Sequence, residues 1–279
     1  MSGSEAVFEL NRWRWLGIEF TVIVLGILSA LFVDTTLQDR QDAQREAVYR
    51  ERVALDLRRD IANLDAVIDY YGKIRAHGLA TLADLDGERR LDDLQLLFSA
   101  FNAAEEWGFI LESATFEDMQ STGGLALIRD VQLRLDLADY YRQGASRDDV
   151  WRLPRAYRER VRGIIPNALQ AAIHERCQDD DRASRIGGLS GDVPGSYWSA
   201  NVLPTVEPLT ASAAAQSVCG LDAGEFRTAD AAAAVRADTE LPRLLRYRVS
   251  QVRVAIALFA GQREMAGELL ELLARGAPE

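Results

Sequence analysis

Between Trp15 and Val33 the chain carries a single ionisable side chain, Glu19. A helix needs roughly 20 apolar residues to cross about 30 Å of hydrocarbon, so RWLGIEFTVIVLGILSALFVD (residues 14–34) limits what the rest can be. Its charge-free part, residues 20–33, also has the length of a signal-peptide core. The following LFVDTTLQD offers no small-residue cleavage site, which predicts an uncleaved anchor. Arg12 and Arg14 flank one end, while Asp34 and Asp39 precede Arg40 at the other. The positive-inside rule then keeps residues 1–14 in the cytoplasm as a short tail. Residues 15–33 become a transmembrane helix, and 34–279 an extracytoplasmic domain. The expected location is a bacterial inner membrane, crossed once, with the main domain periplasmic.

Glu19, Val22, Gly26, Ser29 and Ala30 fall on one helical face of that anchor. Gly26 and Ala30 are a small-xxx-small pair, and small residues let membrane helices approach closely. An ionisable residue within such a segment is a functional candidate. Two uses compete for it: a packing contact, with a second copy or a partner protein, and an ion-coupled step at Glu19.

The chain carries 32 Lys and Arg against 43 Asp and Glu, a net charge of −11. That acidity repels phosphate backbones and argues against nucleic acid as a partner. The expected partners are membrane lipid and either another membrane or periplasmic protein or a second copy of the chain.

Beyond the anchor, helical spacing dominates and strand alternation is lacking. The reading is an all-α chain: an anchor helix, a charged stalk and a helical bundle. Leu57, Ile61, Leu64, Ile68 and Tyr71 continue the heptad register of Glu19 and Gly26. Thr36, Arg40 and Arg50 interrupt it, so a continuous coiled coil is rejected for a polar stalk followed by a core helix. Val53, Val67 and Ile74 widen the apolar face to that of a globular bundle.

Asp86-Gly87 should close this helix. Further helices are expected over residues 90–106, after the break at Gly123-Gly124, over 149–177 with Pro154 and Pro166 starting or kinking it, and from Pro242 to about Leu273. Residues 177–208 read as one long irregular loop, of a length that is usually functional or disordered. Cys177 and Cys219 lie on either side of it. Paired, they would close a loop contributing about 4 kcal/mol in an oxidising compartment; unpaired, they are two buried thiols.

Two segments carry a family likeness. GIEFTVIVLGILSAL and TFEDMQSTGGLALIRDVQLRLDLADYY resemble an uncharacterised family of bacterial single-pass membrane proteins. That family shows a GE…GILIAL-like anchor helix and a later S/T-G-x-L-x-L-I…L…YY motif. Glu19, Gly26, Ile27, Leu28, Ala30 and Leu31 match the first. Phe116, Met119, Ser121, Gly124, Leu125, Leu127, Ile128, Leu133, Tyr140 and Tyr141 match the second. Ile18 splits the usual Gly-Glu pair, and VDTTLQD stands where the family has an Asn/Trp-rich stretch. The resemblance implies a helical domain on a membrane anchor and no particular activity.

Catalytic chemistry finds little to use. His174 and Cys177 are three residues apart, and two ligands do not make a metal site. Asp179 to Asp181 lack the spacing of a calcium loop. GGLSGDVPGS has neither a P-loop lysine nor a preceding strand. Glu105-Glu106 beside Trp107, and Tyr140-Tyr141, read as a helix end and bundle packing before they read as sites. The expectation is a non-enzymatic interaction or assembly subunit without a cofactor or a metal. The alternative is a ligand-sensing module that acts through a membrane partner.

Overall fold

The computed structural model describes residues 4–106, 111–146, 155–177 and 218–275, with side chains from residue 19 onward except 145, 146 and 218. These residues are all-helical, with no strand among them. Helix α1 runs unbroken from Ser4 to Leu85, about 120 Å at 1.5 Å per residue. It contains the one described segment long and apolar enough to cross a membrane, and none of that segment is buried by the rest of the chain. The stalk that follows is largely exposed. From Val53 onward the same helix enters a core. Past Leu85, Gly87 adopts a left-handed φ of 77° and the chain turns back.

Among the described residues six shorter helices and one long partner complete the bundle, α2 (Asp93–Ala103), α3 (Ala114–Thr122), α4 (Val131–Ser146), α5 (Ala156–Ile164), α6 (Asn167–Arg176), α7 (Thr228–Ala237) and α8 (Leu241–Arg275), with 3-10 turns at Gly124–Leu127, Val218–Gly220 and Ala223–Glu225. Local chemistry places most of their ends. Asp92 caps α2 by accepting the Gln95 N–H at 2.8 Å, and Asp130 accepts the N–H groups of Gln132 and Leu133 at the start of α4. Each takes up a donor that the first helical turn leaves unpaired. Gly123, at φ 76°, ends α3 where an αL residue is needed. Pro166 separates α5 from α6, so the single long helix expected there is two helices, for the reason a proline gives. The expected loop lies outside the described residues after Cys177, as do Trp107 and residues 149–154. Cys177 and Cys219 form a disulfide with Cα atoms 5.1 Å apart. The bond ties the end of α6 to the 3-10 turn at Val218–Gly220.

The architecture is organised by α1 and α8, which lie antiparallel. Asp86 meets Arg246 at one end, and Asp65 meets Arg263 further along. The buried row on α1 is Val53, Leu57, Asp60, Leu64, Val67, Tyr71, Ile74, His77, Thr81 and Asp84; that on α8 is Leu245, Val252, Ala255, Phe259, Gln262, Ala266, Leu269 and Leu273. Both rows step by threes and fours, or by sevens, the spacing of two long helices packed along a seam.

Around this seam sit three apolar clusters. Nearest the apolar N-terminal stretch, Val53 and Leu57 pack with Phe116, Met119, Ile128, Leu133, Tyr140 and Leu269. In the middle, Leu64, Val67, Tyr71 and Ile74 meet Val252, Ala255 and Phe259. At the far end α2 is buried by α5, α6, α7 and the start of α8.

Candidate functional site

Asp60 lies between the first two clusters with no part of it exposed to solvent. One carboxylate oxygen, Oδ1, accepts the backbone N–H of Glu112 at 2.9 Å. The other, Oδ2, accepts the Tyr140 hydroxyl at 2.8 Å. Among the described residues no cationic side chain pairs with it. Burial pushes this carboxyl up from 3.8 to about 7, because ionising it there forfeits hydration. The Glu112 N–H and the Tyr140 hydroxyl oppose the shift, whereas the carboxyl groups of Glu112 and Asp56 add to it by repulsion.

The neighbours continue this polar centre. Asp56 stands one turn before Asp60, its Oδ2 buried without a hydrogen-bond partner, and Arg59 approaches its other oxygen at 4.0 Å. Tyr141 is buried with its hydroxyl unpartnered and stacks on Phe116 with ring centres 4.3 Å apart. Burial raises the hydroxyls of Tyr140 and Tyr141, with the charge of Asp60 adding to each. From α8, the Gln262 side chain donates to the Tyr140 carbonyl at 3.1 Å and leaves its own Oε1 buried and unpartnered. α4 and the segment before α3 thus meet α1 at one carboxyl group, and α8 reaches the Tyr140 carbonyl beside it.

The family-like motif docks beside it. Phe116, Met119, Ile128, Tyr140 and Tyr141 are buried in the first cluster, and Leu125 packs against it. Ser121 is exposed and donates to the Asp118 carbonyl at 3.0 Å. Gly124 lies flat under Tyr49 of α1: a Cβ there would fall 2.7 Å from the ring. The Tyr49 hydroxyl lies 3.3 Å from Thr122 Oγ1, and Glu46 accepts the N–H of Arg129 at 3.4 Å. An open cleft beside this contact is lined by Gln41, Gln44, Arg45 and Arg52 of α1 and by Thr122 and Gly123.

At the far end the polar groups join helices to one another. Arg236 of α7 binds Asp84 at 2.8 and 3.2 Å, Asp93 at 2.6 Å and the Leu91 carbonyl at 2.9 Å. Glu105 and Glu106 stand at the end of α2, as expected of a helix end. Glu105 pairs with Arg162, and Glu106 with Arg155 at 3.1 Å. Arg158 and Arg248 donate to the carbonyls of Ala104 and Glu105 at 3.0 and 2.6 Å. Cations at a helix C-terminus offset its partial negative charge.

Glu19, Val22, Gly26, Ser29 and Ala30 are spread over the open face of α1, away from the bundle. A Cβ on Gly26 would meet nothing within 4 Å. His77 is buried against Phe98 with its Nδ1 3.4 Å from Ser99 Oγ, and His174 is exposed with its ring edge on Phe101. Because Cys177 is disulfide-bonded, His174 and Cys177 do not form a ligand pair. Among the described residues no three His, Cys, Asp or Glu are grouped to hold a metal ion.

Sequence reasoning missed Asp60 and Gln262. It placed Ile61 and Ile68 on the stripe beside Leu57, Leu64, Tyr71 and the widening Val53, Val67 and Ile74; the structure buries Asp60 with the latter six and leaves the two isoleucines half-buried at the edge. The available signal was the spacing itself: Val53, Leu57, Leu64, Val67 and Tyr71 leave a gap that position 60 fills. Compared with known proteins, the chain matches no family model, no curated protein and no solved structure.

Proposed function

We propose that this is a single-pass membrane-anchored helical protein that works by binding other proteins rather than by catalysis. The observation carrying the reading is the continuity of α1. One helix joins the bare apolar stretch to the bundle core with no break. The face holding Glu19, Gly26, Ser29 and Ala30 is uncovered by the rest of the chain, and its small residues suit close contact with another membrane helix. Buried polar groups elsewhere are spent on joining helices: Arg236 to Asp84 and Asp93, Arg162 to Glu105.

In this reading the N-terminus is cytoplasmic and the bundle lies in the periplasm of a bacterial cell. A bonded Cys177–Cys219 pair fits an oxidising compartment. The likeness to a family of single-pass membrane proteins supports the same placement. Its segment from Phe116 to Tyr141, which buries Phe116, Met119, Ile128, Tyr140 and Tyr141 against α1, would then serve to seat the bundle on the stalk.

The test is mild extraction from native membranes, followed by the intact mass of the assembly and by crosslinking in the membrane. A stoichiometric second protein or a homo-oligomer is expected, weakened by Glu19→Gln or Gly26→Leu. A lone chain with no crosslinked neighbour would defeat the proposal.

A further inference from the structure

The segment from Leu111 to Tyr141 is held on α1 by a short series of contacts. Glu46, Tyr49 and Asp60 of α1 meet, in order, the Arg129 N–H, Thr122 with Gly124, and the Glu112 N–H with the Tyr140 hydroxyl. Of these polar contacts the one between Asp60 and the Tyr140 hydroxyl is buried, whereas those at Glu46 and Tyr49 are exposed, so Asp60 is the carboxyl of the series that closure removes from water. We propose that Asp60 is a proton-dependent latch: its neutral carboxyl holds the 111–141 segment against α1, and its ionisation releases that segment.

The surroundings explain why a negative charge is unwelcome there. From α1, Asp56 faces Asp60 one helical turn away, and Arg59 is turned to Asp56 rather than to Asp60. The segment before α3 contributes Glu112, whose N–H donates while its carboxyl group repels. From α3, Glu117 accepts from Ser113 and supplies no positive charge. α4 contributes the hydroxyls of Tyr140 and Tyr141, and α8 contributes Gln262, which is uncharged, while Arg263 is occupied by Asp65 at the surface. An ionised Asp60 would keep two hydrogen bonds and gain no counter-ion. Opening the segment gives it water instead, and uncovers Val53 and Leu57 of α1, beside the stalk, together with Phe116, Met119 and Ile128.

The direction follows from linkage. The carboxyl is raised to about 7 when the segment is closed and returns toward its ordinary value of about 4 when open and solvated. Between those values the closed state binds the extra proton, so closure weakens as pH rises and levels off above about 7. The opening equilibrium should therefore grow about tenfold per pH unit across that window. This inference goes beyond the proposed interaction role and stands or falls without it, since it concerns an equilibrium within one chain.

The experiment is hydrogen exchange on the full-length protein in lipid nanodiscs from pH 5 to 8.5, corrected for the intrinsic exchange rate. Amides of 114–141 should lose protection about tenfold per unit up to about pH 7 and then reach a plateau, while those of α2 and α5 stay level. Asp60→Asn, which keeps the shape without the charge, should abolish the slope. Tyr140→Phe removes a donor that favours the ionised form and should move the plateau to higher pH. An infrared carbonyl band of a neutral carboxyl, lost on raising pH through about 7, should appear in the unaltered protein even if neither variant folds. A level wild-type profile, a slope that survives Asp60→Asn, or the absence of a titrating carbonyl band would each overturn the latch.

Discussion

Replacing Arg236 by methionine isolates the largest polar junction between helices. The guanidinium is 13% exposed and the Asp84 side chain 0%, so the pair is shielded from water on the carboxylate side. Arg236→Met removes two hydrogen bonds to Asp84, one to Asp93 and one to the Leu91 carbonyl. Asp84 retains the Leu91 N–H at 2.7 Å and is left as a buried charge without its partner. Breaking a buried pair from one side costs about 3–5 kcal/mol, which for a bundle this size lowers Tm by on the order of 10 °C. The assay is thermal or urea unfolding of the purified protein, followed by circular dichroism. Burial raises the Asp84 carboxyl, but the Arg236 and Leu91 hydrogen bonds outweigh it and hold the group below its ordinary 3.8. The pair's contribution is therefore complete above about pH 4 and lost as pH falls through the depressed value, so the variant's deficit should shrink in strong acid. Adding Asp84→Asn should recover part of the loss, since no buried charge then remains. A deficit below about 1 kcal/mol, the level of an exposed ion pair, would refute the burial argument.

Two further outcomes follow from packing and covalent structure. Gly124→Ala should destabilise by about 1–3 kcal/mol, because its Cβ would lie 2.7 Å from the Tyr49 ring; Tyr49→Leu in the same chain should restore most of it, read as the urea midpoint. Reducing the Cys177–Cys219 disulfide, which spans 42 residues, should cost about 4 kcal/mol by the chain-entropy argument. Thermal unfolding with and without reductant, against a Cys177→Ser, Cys219→Ser chain, measures it.

The helical class, the end of α1 at Asp86-Gly87, the break at Gly123 and the start of α8 at Pro242 were legible because each depends on local backbone chemistry or on apolar periodicity. Helix α7 was not: TADAAAAVRA has little apolar contrast beyond alanine, and its place is fixed by Arg236 reaching residues about 150 positions earlier. The stripe on α1 was legible at Val53, Leu57, Leu64, Val67, Tyr71 and Ile74, while Ile61 and Ile68 fall at its edge and its polar positions were not legible. Asp60, His77, Thr81 and Asp84 occupy seam positions that composition assigns to solvent; tertiary partners from α4, α2 and α7 make the burial of Asp60, His77 and Asp84 tolerable, and Thr81 donates to the His77 carbonyl one turn back. That is why the candidate site was missed while the helix carrying it was found.

The antiparallel pairing of α1 with α8 also sets a timetable for synthesis. Asp65 and Arg263 are separated by 198 positions, so at 5–20 residues per second roughly 10–40 s pass between the two. Throughout that interval the row from Val53 to Ile74 lacks its α8 partner, and only its first part, Val53 and Leu57, has α3 and α4 to pack against. The nascent chain therefore carries this stripe without its α8 partner until the last long helix has been made. The bundle closes only when its last long helix has been made, so a chain that stops short of α8 displays its incompleteness to proteolysis.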